Sequence, residues 1–224
     1  MKILPNGIAV IDGDEGISKW IEKHGRLDHD QWLLKRVLPY IPEGGVVVDG
    51  GAFIGDHTVA YAAKVGLTGT VHAMEPNPIA FECLKHNTKN LPQVKRYGEA
   101  LTHHESTVWI EPNPNSGATR ITLKQDPFAT SRGGEPLDRY QLETVHFIKL
   151  DLEGFECEAL LGAWETIKRC RPVMLIEVNE GALEAAGSSS DELLGLLTVL
   201  RYSFDNILNE PMTGPQFDIL CKPL

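Results

Sequence analysis

The stretch VVVDGGAFIGDHT, Val46 to Thr58, decides the fold of this chain. Its three valines form a short β-branched run of the kind that a parallel sheet buries on both faces. Asp49 follows them, and a glycine-rich turn leads at once into the next segment. Glycine lets the backbone approach a ligand closely, and the free N–H groups at a helix start attract anionic groups. The stretch therefore predicts a strand, a cofactor-binding turn and a helix.

The position of the acid indicates which cofactor the turn would bind. A dinucleotide fingerprint has the spacing G-x-G-x-x-G and an acid about twenty residues later. Here Asp49 precedes the glycines, and three residues separate Gly51 from Gly55. A carboxylate at that point repels a pyrophosphate and attracts an ammonium group. We expect Asp49 to bind the ammonium group of S-adenosylmethionine, directly or through water, and the start of the helix to bind its carboxylate. The alternative is that the turn is only a tight connection between strand and helix and binds no ligand.

A second acid at a strand end lies where a ribose would bind. The run VHAMEPNP, Val71 to Pro78, places Glu75 about one helix and one strand after Asp49. A single carboxylate can accept hydrogen bonds from both ribose hydroxyls. Asn77 or Pro78 is expected to begin the following helix. The alternative interpretation of Glu75 is a solvated acid at the end of a strand.

Two later strands are also followed by acids. The segment HFIKLDLEGFE, residues 146–156, leads from a buried strand into Asp151 and Glu153. The segment VMLIEVNEG delivers Glu177 and Asn179 at the end of the next strand. Ligands of open α/β sheets bind at the carboxyl ends of the strands, so these side chains are expected to converge, with Asp151 and Glu153 on one side if the strand continues. The acids would take a proton from a hydroxyl group, or Asp151 and Glu177 would bind a magnesium-type ion.

These motifs resemble those of the FkbM-type S-adenosylmethionine-dependent methyltransferases, over most of the chain. The resemblance implies an α/β, doubly wound, Rossmann-like fold whose mostly parallel seven-stranded sheet has an antiparallel C-terminal strand. It also implies transfer of a methyl group to an oxygen of a small molecule or saccharide. The chain departs from the family at Phe53, where relatives usually have Asn, and at Pro136, where they usually have Thr. The matching segments are DGGAFIGDHT, EPNPIAFECLKHN, IKLDLEGFECEALLGA and RPVMLIEVN.

The resemblance also assigns expected roles to individual side chains. Glu99 and Ala100 would lie beside the adenine. Leading helices often cover the substrate pocket in this fold, which makes His29 in the segment GRLDHD a substrate candidate, with helix capping as the alternative. The expected cofactor-binding residues are Asp49, Gly51, Ala52, Gly55, His57, Thr58, Glu75, Asn77, Glu99 and Ala100; the expected catalytic residues are Asp151, Glu153 and Glu177; the expected substrate residues are His29, Ser116 and Asn179.

The remaining segments predict how the chain is organised. Residues 1–44 are expected to form an N-terminal helical cap, and residues 45–224 a cofactor-binding domain. Short alternating runs in the middle of the chain predict a β-hairpin insertion. The other expected elements are helices near 17–23 and 28–41, a third strand over 94–101, the two hairpin strands over 106–113 and 119–124, a flexible lid over 127–136, and two edge strands over 202–208 and 216–224.

Composition limits the classes of function. A net charge of −10 over 224 residues disfavours nucleic acid as a partner, because nucleic-acid binders need basic stripes. No apolar run approaches the roughly 20 residues of a membrane helix, and the first residues lack a signal-peptide core, so a cytoplasmic protein without a membrane partner is expected. The four cysteines lack metal-binding spacing. An NAD-dependent oxidoreductase of related fold and a non-catalytic cofactor-binding module are the alternative functions.

Overall fold

The computed structural model describes residues 1–111, 119–126 and 129–224. Within these residues the chain alternates strands and helices, as the sequence predicts. The helices are α1 (Ile17–His24), α2 (Gln31–Val37), α3 (Asp56–Val65), α4 (Pro78–Asn87), α5 (Glu156–Gly162), α6 (Trp164–Cys170), α7 (Glu180–Ala186) and α8 (Ser190–Val199). The strands are β1 (Lys2–Ile3), β2 (Ala9–Val10), β3 (Val46–Gly50), β4 (Thr70–Met74), β5 (Val94–Tyr97), β6 (Ala100–Leu101), β7 (Ser106–Ile110), β8 (Ile121–Thr122), β9 (Thr130–Glu135), β10 (Phe147–Leu150), β11 (Val173–Asn179), β12 (Tyr202–Asn206) and β13 (Gln216–Pro223).

A seven-stranded sheet forms the centre of the fold, in the order β12-β13-β11-β10-β3-β4-β5. The pairs β11–β10, β10–β3, β3–β4 and β4–β5 are parallel, whereas β13 runs antiparallel to both of its neighbours. The predicted α/β fold class is confirmed. The strand order reverses between β3 and β10, so the carboxyl ends of β3, β4, β10 and β11 share the edge at which open α/β sheets bind ligands.

Apolar side chains on both faces of this sheet explain why its inner strands read as continuous hydrophobic runs. Val47 and Phe147 pack into the core on one face, whereas Val48 and Ile148 pack into the core on the other. Successive side chains of a strand point to opposite faces, so helices are needed on both sides. Each fully buried side chain of this size contributes about 1.5–3 kcal/mol to folding. The two cores therefore fix the strand ends that carry the acids.

The predicted hairpin insertion is present as strands β7 and β8, which pair antiparallel. They belong to a separate four-stranded sheet of order β6-β9-β7-β8. Two sequence expectations are corrected here. Residues 94–101 form two strands in different sheets, because the chain leaves the central sheet after Tyr97. The expected lid over 127–136 is largely strand β9, in which Gly134 leaves no room for a Cβ beside Ser106; residues 127 and 128 lie outside the described residues.

The leading segment packs against the turn after β3 and against α4. Ile21 shares an apolar cluster with Phe53 and Ile54. The Asn87 side chain of α4 accepts a hydrogen bond from Ala9 N and donates to Ala9 O and Ile54 O. The helix predicted over 28–41 begins later, at Gln31, and is followed by a short 3-10 segment, Leu38–Tyr40. No helix in the described ranges is long and apolar enough to cross a membrane.

Candidate active site

A pocket opens at the carboxyl edge of the central sheet. The sequence-predicted residues Gly51, His57, Glu75, Glu99, Ala100, Asp151, Glu153 and His29 all line it. Five other predicted residues do not line it: Asp49 on β3, Ala52 and Gly55 in the turn that follows, Thr58 on α3 and Asn77 at the start of α4. Ser116 lies outside the described residues.

Asp49, on β3, is fully buried and is not among the residues that line this pocket. Its Oδ2 accepts a hydrogen bond of 2.6 Å from Thr58 Oγ1 on α3. Its Oδ1 is buried and makes no hydrogen bond to the described residues. Burial raises the pKa of Asp49, against the opposing effects of Lys149 and Thr58. Asp49 is absent from the lining of this pocket, so its contact with the ammonium group of a cofactor, directly or through water, stays a prediction.

Lys149 on β10 is the cation that faces Asp49, and the sequence prediction did not include it. Its side chain is 5% exposed, with Nζ 3.9 Å from Asp49 Oδ1 and 3.2 Å from Asp151 Oδ2. Nζ also donates a hydrogen bond of 3.1 Å to the carbonyl oxygen of Gly51. Burial alone would lower the pKa of Lys149, but Asp151 and Asp49 raise it above its ordinary value. A permanent positive charge therefore connects the ends of β3 and β10.

Glu75, at the end of β4, is held by the backbone on both sides of its carboxylate. Phe53 N donates to Oε2 at 2.8 Å, and Asn77 N donates to Oε1 at 2.7 Å. Asn77 caps α4 by accepting hydrogen bonds from the N–H groups of Ile79 and Ala80, as predicted for the start of this helix. Burial raises the pKa of Glu75 to about 7, although the two backbone donors act in the opposite direction. The carboxylate is thus fixed in one orientation at the pocket wall.

Charged side chains from the leading segment and α3 meet at another part of the pocket lining. His29 Nε2 lies 3.0 Å from Asp30 Oδ2, and His29 Nδ1 lies 3.3 Å from Asp56 Oδ2. His57 Nε2 lies 3.6 Å from the same Asp30 oxygen. Burial lowers the pKa of His29, but Asp30 and Asp56 more than offset this effect and raise it to about 10. Asp30 precedes the first residue of α2, but its side chain forms no capping hydrogen bond and instead contacts the two histidines.

The acids that follow β10 and β11 converge as predicted. Asp151, Glu153 and Glu177 offer carboxylate oxygens that lie within 4.8 Å of one another. The route differs from the expected one, because β10 ends at Leu150 and Glu153 is reached through a turn in which its own φ is 53°. Asn179, predicted to join the acids, accepts a hydrogen bond of 3.2 Å from Ala182 N and caps α7.

Two members of this acid cluster have strongly perturbed proton affinities. Burial, followed by the charge of Asp151, raises the pKa of Glu153 to about 7. Burial, followed by Asp151 and Glu153, raises the pKa of Glu177 to about 9, and the Gln216 amide acts in the opposite direction with a hydrogen bond of 2.6 Å. Both glutamates therefore hold a proton more readily than an ordinary glutamate does. Groups with such pKa values can take up and donate protons near neutrality.

Comparison with known proteins agrees with this arrangement of strands and acids. The sheet order is that of the class I methyltransferases, to which the similar solved structures belong. The sequence profile of the methyltransferase FkbM domain matches residues 49–204. The chain therefore belongs to the FkbM methyltransferase family.

Individual relatives are distant in sequence. Hexuronic acid methyltransferase AglP from Haloferax volcanii is 27% identical over 158 residues, which cover 68% of this chain and 63% of that protein. The chain thus spans less than two thirds of the length of this curated relative. A crystal structure of methyltransferase FkbM from Methylobacillus flagellatus has a TM-score of 0.53 and 20% identity, covering 81% of this chain and 44% of that one. Aeropyrum pernix fibrillarin with natively bound S-adenosyl-L-methionine has a TM-score of 0.51 and 10% identity, covering 82% and 68%.

Proposed function

We propose that this protein transfers the methyl group of S-adenosylmethionine to a hydroxyl oxygen of a small molecule or saccharide. The observation that carries the proposal is that one pocket joins a backbone-fixed carboxylate, Glu75, to the acids Asp151 and Glu153. The first suits a ribose, and the others suit removal of a proton from a hydroxyl group. Residues 1–44 would act as a cap, since Ile17 and His29 line the same pocket.

The residues present fit S-adenosylmethionine. Each Glu75 oxygen accepts one backbone N–H, and a carboxylate oxygen has two acceptor positions, so one remains on each oxygen for the two ribose hydroxyls. A Cβ at Gly51 would overlap the carbonyl oxygen of Asp151, so this turn excludes a side chain beside the cofactor. The His29 imidazolium offers a cation to the carboxylate, and Asp30 or Asp56 an anion to the ammonium group.

The chain's own residues would then align the acceptor and receive its proton. S-adenosylmethionine supplies a methyl group that its sulfonium already activates. Asp151, fixed by Lys149, would orient the acceptor hydroxyl, and Glu153 would accept the hydroxyl proton because its pKa of about 7 matches neutral pH. Protonated Glu177 would donate a hydrogen bond to the acceptor. Alignment of donor and acceptor contributes much of the expected rate enhancement.

The alternative to direct proton transfer is a metal ion bound by Asp151 and Glu177. We favour direct proton transfer, because the ammonium group of Lys149 already lies 3.2 Å from Asp151 Oδ2. Like charges at close range repel, and a divalent ion would have to share this carboxylate with a cation. Activity that persists undiminished in a chelator would agree with direct transfer, and loss that magnesium restores would favour the ion.

Glu75→Gln is expected to weaken S-adenosylmethionine binding by about 10–100-fold, since a hydrogen bond to a charged group contributes roughly 1.5–3 kcal/mol. Calorimetry with S-adenosylmethionine and S-adenosylhomocysteine measures the effect. Glu82→Gln, on the exposed side of α4, serves as the control and is expected to bind like the parent. Equal affinity of Glu75→Gln and the parent would refute the ribose assignment, and tight binding of NAD in a parallel titration would favour an oxidoreductase.

Glu153→Gln is expected to lower kcat by about 100-fold, which is the lower end of general-base effects. A base works only when it is deprotonated, so kcat of the parent is expected to rise with pH around a midpoint near 7. Mass spectrometry of a panel of hydroxylated acceptors, scoring the gain of one methyl group, provides the rate at each pH. A pH profile that stays unchanged in Glu153→Gln would remove Glu153 from this role, and no methylated product with bound cofactor would favour a binding module.

A further inference from the structure

A second cleft lies next to the acid cluster and shares Glu177 with it. Trp32 of α2, the chain between β12 and β13, and the first residues of β13 line this cleft. Glu177 belongs both to this lining and to the group with Asp151 and Glu153. A molecule held in the cleft would therefore reach the point at which the acceptor proton is removed.

The cleft combines an exposed aromatic ring with hydrogen-bonding side chains. Trp32 is 41% exposed, although the guanidinium of Arg36 lies 5.4 Å from the centroid of its ring. Gln216 extends along the same lining and donates to Glu177 Oε1 at 2.6 Å. Glu177 Oε2 is buried and lacks a hydrogen-bond partner among the described residues. A sugar ring has an apolar C–H face that can lie on an indole and hydroxyl groups that pair with carboxyl and amide groups.

Two acids face each other across neighbouring strands of this cleft. Glu177 on β11 is paired in register with Asp218 on β13, so both side chains point to the same face of the sheet. Two ionised carboxylates would repel each other in this arrangement, whereas a ligand hydroxyl can donate a hydrogen bond to a carboxylate or accept one from a protonated carboxyl group. Glu210 adds a third acid to the lining.

The charge of the cleft discriminates between classes of sugar. Among its described lining residues there are three acids and no lysine or arginine. Arg36 lies 5.4 Å from the centroid of the Trp32 ring, but it lines the adjacent cleft together with Lys222. A uronic acid would bring a further carboxylate next to Glu177 and Asp218, whereas a neutral or amino sugar would not.

We propose that this cleft binds a non-acidic sugar ring, neutral or amino-substituted, stacked on Trp32 with its hydroxyls directed to Glu177 and Asp218. The inference rests on the proposed methyl transfer and makes its acceptor more specific. It separates this chain from AglP, whose name specifies a hexuronic acid.

The test compares three acceptors that differ in one group: a methyl hexoside, its 2-amino analogue and its uronic acid. The parent is expected to methylate the first two at least about tenfold more efficiently in kcat/KM than the third. Trp32→Ala is expected to raise the acceptor KM about tenfold without altering the affinity for S-adenosylmethionine, and Trp32→Phe to restore most of it. Tyr40→Ala, an exposed aromatic outside this cleft, is the control.

The possible outcomes test the sugar cleft and the proposed methyl transfer separately. Preference for the uronic acid, or an acceptor KM in Trp32→Ala within twofold of the parent, overturns the cleft assignment while methyl transfer stands. Asp218→Asn is expected to reduce the discrimination against the uronic acid, and unchanged discrimination would also count against the assignment. Methylation of other hydroxyl compounds but of none of the three sugars refutes the sugar cleft alone. Failure of the parent to bind S-adenosylmethionine refutes the proposed function itself.

Discussion

Lys149→Met is expected to lower the free energy of unfolding by about 3 kcal/mol at pH 8, because removing one partner of a buried ion pair leaves the other charge uncompensated. The residue left behind is Asp49, which is fully buried and, among the described residues, accepts a hydrogen bond only from the Thr58 hydroxyl. Methionine has a similar volume, so the substitution removes the charge without opening a large cavity. The loss should also disturb the Gly51 carbonyl, which accepts a hydrogen bond from Nζ.

The dependence of this loss on pH distinguishes a charge effect from poor packing. Without Lys149 the pKa of Asp49 rises further above its value in the unfolded chain. A group with a raised pKa in the folded state contributes stability below its unfolded pKa and loses it as pH rises through the folded value. The destabilisation of Lys149→Met should therefore be smaller at pH 5 than at pH 8.

Urea denaturation of the ligand-free protein at both pH values measures the effect. The double variant Lys149→Met with Asp49→Asn should recover most of the loss, because the uncompensated carboxylate is gone. Lys168→Met is the matched control: its Nζ lies 3.2 Å from Glu165 Oε1, but the lysine side chain is 53% exposed, so a change within about 0.5 kcal/mol is expected. A loss in Lys149→Met that is independent of pH and persists in the double variant would contradict the role of the charge.

The role of Lys149 also shows which parts of the site the sequence can predict. The acids Glu75 and Asp151 were predictable, because a strand followed by an acid places that acid at the carboxyl edge of a parallel sheet. The segment FIKL does carry a signal for Lys149, because a strand that is buried on both faces cannot leave a lysine in solvent. Its partner could not be predicted, since the pairing of Lys149 with Asp49 follows from the register between β10 and β3.

Phe53 shows a second feature of the site that the sequence alone cannot predict. The resemblance to the FkbM family leads to the expectation of Asn at this position, and the sequence has Phe instead. In the structure Phe53 has φ 47°, in the left-handed region that Asn adopts more readily than bulky residues. Phe53 is only 8% exposed and packs with the leading segment. The leading segment is distant in sequence, so its contact with this turn depends on tertiary packing that no local pattern reports.

Gly51→Ala, in the turn after β3, is expected to lower the free energy of unfolding strongly. Gly51 has φ 73°, and a Cβ there would overlap the carbonyl oxygen of Asp151. The backbone cannot move away easily, because Gly51 N donates to Met74 O at 3.1 Å and Gly51 O accepts from Lys149 Nζ. Left-handed strain of about 1–2 kcal/mol and overpacking of about 1–3 kcal/mol act together, so a loss of about 3 kcal/mol or more is expected.

Two other glycines separate the causes of this loss. Gly13 has φ 79°, and no heavy atom lies within 4 Å of the position that a Cβ would occupy. Gly13→Ala therefore tests the backbone strain alone and should lower the free energy of unfolding by about 1 kcal/mol. Gly195, in the exposed part of α8, lacks both the positive φ and a nearby atom, so Gly195→Ala should stabilise by about 0.5–1 kcal/mol. Thermal and urea unfolding of the three variants measures these differences. If Gly51→Ala lowers the free energy of unfolding no more than Gly13→Ala does, β3 and β10 can separate at this edge. The close approach of the turn to Asp151 would then not be needed to hold the pocket together.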